Sequence, residues 1–182
     1  MNFLKSFFLS VIDIVKIAVV ALVLAMTIRY FLIQPFFVEG ASMGPNFSTG
    51  EYLLIDEISY RFKSISRGEV VVFHYPLDTS KYYIKRIVGL PGETVEVKNG
   101  KVIVYNSANP DGIILDENYL PENLTTNGQI KKKLGADEYF VLGDNRQVSS
   151  DSRVWGSLLK GDIVGRVWVR VWPFNRATIF DY

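Results

Sequence analysis

Hydrophobic and polar positions fall into two regimes along this chain, and the change comes near Pro35. Before it, apolar residues run almost without a break: residues 17–28 read IAVVALVLAMTI between Lys16 and Arg29. Val11, Ile12, Ile14 and Val15 extend the run on one side, and Tyr30, Phe31, Leu32 and Ile33 on the other. That brings it to the roughly 20 residues a helix needs to cross a bilayer core. Lys16 and Arg29 can snorkel toward the two interfaces, and Asp13 can pair with Lys16 one helical turn away. A removed targeting peptide is disfavoured, because the flank Arg29-Tyr30-Phe31-Leu32 offers no small-x-small cleavage site; a buried core helix is a second alternative. The preferred reading is a retained single transmembrane helix. Residues 1–34 are then a cytoplasmic tail with its anchor, and residues 35–182 lie outside the membrane. Lys5 and Lys16 before the span, against Arg29 after it, lean toward a cytoplasmic N-terminus.

After Pro35 the chain alternates in short runs punctuated by Gly, Pro and Asn. Strands are predicted over Tyr52–Asp56, Glu69–Tyr75, Tyr82–Val88, Thr94–Lys98, Lys101–Tyr105, Glu138–Leu142 and Ile163–Trp172. Asn99-Gly100 between two β-branched runs predicts a two-residue hairpin, since both positions tolerate positive φ. Helical periodicity is nearly absent here, so the fold class is mainly β. Residues 106–133, rich in Asn, Pro, Asp and Gly, read as a polar insertion, within which Lys131-Lys132-Lys133 is expected to be a solvated turn. There are no internal repeats.

Composition narrows the chemistry. The 182 residues carry 20 basic and 19 acidic side chains for a net charge of +1, so no global field points to nucleic acid. The absence of cysteine removes disulfides, thiolate nucleophiles and cysteine-rich zinc sites. A single histidine, His74, leaves no histidine-based metal cluster, and no metal or cofactor is expected.

Three segments are unlike ordinary strand or turn sequence. Gly40-Ala41-Ser42-Met43-Gly44-Pro45 sets a serine in tight, irregular backbone, although glycine-flanked serines are common in turns. In Tyr82-Tyr83-Ile84-Lys85-Arg86-Ile87-Val88, followed by Gly89-Leu90-Pro91-Gly92, Lys85 shares a strand face with Tyr83 and Ile87 while Arg86 points the other way. A lysine on such a face is held toward its neutral form, as a general base near neutral pH requires; snorkelling at a sheet edge is the plainer alternative. Finally, Gly143-Asp144-Asn145-Arg146-Gln147-Val148-Ser149-Ser150-Asp151-Ser152-Arg153 packs acids, arginines and serines tightly enough to suggest a buried polar network.

Together, in this order and behind an apolar N-terminal segment, these motifs resemble the bacterial type I signal peptidases. The resemblance runs from about Lys16 to Phe174. It implies a signal-peptidase-like antiparallel β-sheet domain behind its membrane anchor, with Ser42 as nucleophile, Lys85 as general base and Ser149 orienting the lysine. Arg86, Asp144, Asp151 and Arg153 would form the supporting polar network, with Asp144 pairing with Arg86. The backbone N–H of Ser42 would hold the oxyanion; Gly40 stands where some relatives supply a hydroxyl donor. Implied substrates are secretory preproteins whose signal peptides carry small residues at −1 and −3. Val38, Met43, Phe47, Tyr83 and Ile84 would form the pocket walls, and Phe36, Phe37 and Phe47 a lip touching membrane lipid. Gly44 and Asn46 around Pro45 depart from the usual bulkier residue and threonine, and Asn46 can cap the turn through its side chain.

Other readings are weaker. A Ser42–His74 pair lacks a nearby acid. A dedicated assembly factor for surface fibres with a narrow clientele is the main alternative function. A self-cleaving repressor would need a DNA-binding domain and no anchor.

Overall fold

The computed structural model describes residues 7, 11–23 and 33–182. Residues 11–23 form helix α1, whose side chains are exposed throughout. Among the described residues no helix is long and apolar enough to cross a membrane. The span expected from Val11 to Ile33 lies in part outside the described residues.

The remainder is a β-domain of two antiparallel sheets. The larger is built from β1 (Ile33–Phe37), β2 (Tyr52–Asp56), β3 (Val70–Tyr75), β4 (Asp78–Gly89), β9 (Glu138–Leu142), β10 (Leu158–Leu159), β11 (Ile163–Trp172) and β12 (Thr178–Ile179). Its order is β1-β2-β11-β3-β4-β9-β10, with β12 paired to β11. The smaller sheet has the order β7-β6-β5-β8, from β5 (Thr94–Lys98), β6 (Lys101–Tyr105), β7 (Ile113–Ile114) and β8 (Ile130–Lys133). Asn99 and Gly100 both take positive φ in the β5–β6 turn, which places Lys98 opposite Lys101.

Period-2 alternation produces three cores. One face of β1, β2, β3 and β11 buries Val38, Met43, Phe47, Leu53, Ile55, Val70, Val72 and Val167. The other face of β3, β4 and β9 buries Val71, Phe73, Ile87, Val141 and Leu158. The third core joins the sheets, where Val88, Phe140 and Leu142 meet Val95, Val97, Val102, Val104 and Leu134.

Three sequence expectations need correction. Ile33 and Gln34, placed with the anchor segment, belong to edge strand β1; an edge tolerates Pro35, which has no N–H to donate. The Lys131–Lys133 turn is strand β8, pairing along Thr94–Val97 with Lys131 and Lys133 exposed; lysine is suited to an unpaired sheet edge. The 106–133 segment also contributes β7, so it completes the small sheet instead of looping off it.

Phe140 is fully buried where the sheets join. Phe140→Ala should therefore cost about 3–5 kcal/mol, whereas exposed Val154→Ala should stay within about 0.5 kcal/mol. Urea unfolding midpoints of the two variants would check the difference.

Candidate active site

The local backbone presents Ser42 first. Just past β1 the chain turns through Gly40, whose φ of +90° is a region L-residues with side chains rarely adopt. Thr49 Oγ1 donates to the Gly40 carbonyl at 3.0 Å, and Asn145 N–H donates to the Ser42 carbonyl at 3.0 Å. Met43 is buried beneath the turn, with its sulfur 3.4 Å from Asp144 N.

Strand β4 brings Lys85 to this turn, in register with Val71 of β3. Lys85 is only 3% exposed. Its Nζ lies 2.8 Å from Ser42 Oγ, donates to the Ile84 carbonyl at 2.8 Å, and sits 5.2 Å from the Tyr83 ring centre. Burial pushes the amine down to about 8, against the opposing pull of the Asp151 and Asp144 carboxylates.

Both carboxylates are themselves neutralised. Asp144, fully buried, accepts from Arg86 Nε at 2.9 Å and Nη2 at 2.6 Å. Asp151 accepts from Arg153 Nε and Nη2, both at 2.8 Å, and from Gly143 N–H at 3.1 Å. It also caps the short helix α2 (Ser152–Trp155). Ser149 Oγ is buried, and its hydroxyl is among the groups that hold the Asp151 carboxyl below its usual range. Ser149 comes so close to Gly143 that a β-carbon on that glycine would collide with Ser149 Oγ and the Ser42 carbonyl oxygen.

A cleft of about 790 Å³ opens over the pair, walled by Val38, Leu53, Val72, Tyr83 and Ile84. Val38, Tyr83 and Ile84, expected as pocket walls, line this cleft. Met43 and Phe47 do not line the cleft: each is 1% exposed, and Phe47 packs on Phe180, with ring centres 5.1 Å apart, beside the Arg170 guanidinium. Phe47 therefore cannot form part of a lipid-facing lip. Among the described residues no acidic, histidine or cysteine cluster could hold a metal ion. His74 is bound elsewhere, donating Nδ1–H to the Thr79 carbonyl at 2.8 Å.

Several residues escaped the sequence reading. Arg146, 1% exposed, donates to Glu117, Thr126 and the Gly143 carbonyl. Its signal was available as the arginine of the Gly-Asp-Asn-Arg motif. Glu117 and Tyr119 carried none, because Arg146 and Asn46, which tie them to the site, lie far away in sequence. Glu51, 2% exposed, pairs with Arg170 at 3.1 Å and Arg176 at 2.8 Å behind Phe47.

A serine thus lies against a buried lysine at the floor of an apolar cleft on an antiparallel β-domain. A family model described as "Signal peptidase, peptidase S26" matches residues 11–172. A signal peptidase I from Leptolyngbya laminosa is 37% identical over 89% of this chain and 80% of its own length. A probable signal peptidase I-2 from Synechocystis sp. is 39% identical over 91% of this chain and 75% of its own. Signal peptidase IB of Staphylococcus aureus is 34% identical over 89% of both chains. The chain belongs to the signal peptidase S26 family. It is a signal peptidase I-type enzyme, a hydrolase acting on secretory preproteins that bear signal peptides. The names of these relatives give no support to a dedicated fibre-assembly factor.

The Arg86–Asp144 pair is the most deeply buried charge pair at the site. Asp144→Ala should cost about 3–5 kcal/mol, because it strands a buried guanidinium, while Glu96→Ala on the solvent-screened Lys131–Glu96 pair should cost far less. Denaturant titration of both variants measures this contrast.

Proposed function

We propose that this chain is a single-span membrane endopeptidase that removes signal peptides with Ser42 as nucleophile and Lys85 as general base. The observation that carries the reading is the 2.8 Å separation of Lys85 Nζ from Ser42 Oγ in a setting that burial shields from water. With a base of about 8, roughly one molecule in ten holds a neutral Lys85 at pH 7. A lysine at the ordinary value would be neutral in fewer than about one in a thousand.

Neutral Lys85 accepts the hydroxyl proton as Ser42 Oγ attacks the scissile carbonyl carbon. The tetrahedral oxyanion is held by the backbone N–H of Ser42, with no hydroxyl donor at Gly40. The lysine ammonium then gives its proton to the departing amine, leaving the signal peptide as an ester on Ser42. Lys85 next takes a proton from water, whose oxygen attacks the ester carbonyl, and returns that proton to Ser42 as the acid leaves. Ser149 orients the amine during these transfers. Arg86, Asp144, Asp151 and Arg153 hold the serine turn, strand β4 and the 143–153 loop against one another.

The substrate lies extended in the apolar cleft, with small side chains at −1 and −3 against Val38, Tyr83 and Ile84. Support for an anchor comes from the unbroken apolar sequence and from helix α1, whose Ile14, Ile17, Val20 and Leu22 stand exposed. Lipid contact of the β-domain is better served by other aromatics than Phe47. Phe37 stacks near Tyr52 with ring centres 5.0 Å apart, Tyr52 pairs in register with Trp172, and Trp172 meets Phe174 at 4.9 Å. All four are exposed, and such rings favour the bilayer interface. On this reading residues 35–182 face the extracytoplasmic side and the N-terminus stays cytoplasmic.

Ser42→Ala and Lys85→Ala should each abolish nearly all cleavage of a preprotein with Ala at −1 and −3, and the double variant should be no worse than either. The sign of the pH effect is fixed, since only the neutral amine accepts a proton: kcat/KM should rise with pH along a limb centred near 8. The limb should survive unchanged in His74→Ala; its loss there would move the base role to His74. Replacing Ala at −1 by Leu should block cleavage, and equal turnover of both peptides would discard the pocket assignment.

A further inference from the structure

Asn46, four residues after Ser42, uses both hydrogens of its side-chain amide. Nδ2 donates to Asp144 Oδ2 and to the carbonyl oxygen of Tyr119, each at 2.8 Å. Asp144 holds Arg86, the residue next to Lys85 in β4, and Arg86 Nη1 is tied in turn to the Gly68 carbonyl at 2.8 Å. The Arg86 guanidinium lies 4.0 Å from the centre of the Tyr119 ring. A closed circuit therefore runs from the serine turn through Asn46 and Asp144 to the lysine strand, with Tyr119 touching both sides of it.

Tyr119 is itself fixed. Its hydroxyl donates to Glu117 Oε1 at 2.7 Å, and Glu117 is the ion-pair partner of buried Arg146. Arg146 Nε donates to the Gly143 carbonyl at 3.0 Å, which returns the 106–133 segment to the loop carrying Asp144. A serine or threonine at position 46 has one hydrogen to donate and could satisfy only one of the two acceptors.

We propose that Asn46 is a positioning residue that, seated on Tyr119 of the 106–133 segment, fixes the distance between Ser42 and Lys85. The inference rests on the reading of Ser42 and Lys85 as nucleophile and base. It gives the polar segment a role in catalysis beyond completing the small sheet. Asn46 does not line the cleft, so it acts on the reacting groups and not on substrate affinity.

The test uses the full chain in detergent and a peptide spanning a signal-peptide cleavage region with Ala at −1 and −3. Asn46→Ala and Asn46→Thr are compared with the unsubstituted chain, and Ser42→Ala and Lys85→Ala serve as references. Asn46→Ala should lower kcat about 10- to 100-fold and leave KM within about twofold. Its pH limb should move upward, because an amine displaced from Ser42 and Tyr83 regains water, which outweighs any lost pull of the Asp144 and Asp151 carboxylates. Asn46→Thr, keeping one donor, should fall between the two. A purely structural role would lower the melting temperature and the active fraction while leaving the limb in place, and that result overturns the proposal. Should Asn46→Ala fail to fold, Asn46→Thr decides alone: kcat within about twofold with an unmoved limb rejects the proposal. Cleavage surviving in Ser42→Ala or Lys85→Ala would instead reject the dyad reading beneath it.

Discussion

The burial of Lys85 is the constraint around which this domain is arranged. An amine held in its neutral form near neutral pH must be shielded from water, yet carboxylates close by favour the charged form. Asp144 and Asp151 are both near enough to pull Lys85 upward. Each of them, however, is bound by an arginine through two nitrogens, Asp144 by Arg86 and Asp151 by Arg153. Their charge is largely answered before it reaches the amine, and desolvation stays the dominant influence. The arginines thus do two things: they allow the carboxylates to be buried, and they weaken the upward pull of those carboxylates on Lys85.

Strand geometry makes this arrangement possible. Lys85 and Arg86 are consecutive, so the pleat sends them to opposite faces of β4. One face presents the amine to Ser42 beside Tyr83, and the other presents the guanidinium to Asp144. A slip of one residue in the β3–β4 register would exchange them and place a permanently charged group against the serine. Val71, Phe73 and Ile87, all fully buried in one core, secure that register.

Alternation made most of the sheet legible in the sequence. The β5–β6 hairpin has the predicted strand limits, because Asn99-Gly100 admits only a tight turn with positive φ. What went unread shares one cause: its signal lies in pairing partners distant along the chain. Ile33 and Gln34 look like the end of an apolar segment until β2 is set beside them. Ile130–Lys133 looks like a charged turn until Thr94–Val97 supplies its ladder. At the site, Lys85 betrayed itself by standing on an apolar strand face, whereas Phe47 was misplaced because an aromatic near the anchor looks alike whether it faces lipid or core. Glu117 and Tyr119 sit in a polar stretch that resembles a linker, and only the fold brings them to Arg146 and Asn46.

On the proposed mechanism, substrate recognition and base strength have a common origin. The cleft walls beside Lys85 are apolar, with Val38, Leu53, Val72 and Ile84 among them. An extended peptide with small side chains at −1 and −3 can settle onto these walls and displace the water that still reaches the amine. Removing that water disfavours the ammonium further, so the base becomes stronger as the scissile bond arrives. A bulky residue at −1 would hold the peptide off the wall, misplacing the carbonyl and leaving the amine hydrated at the same time. Shallow apolar walls therefore discriminate through kcat as well as through binding, because the side chain that fits is also the one that completes the desolvation of Lys85.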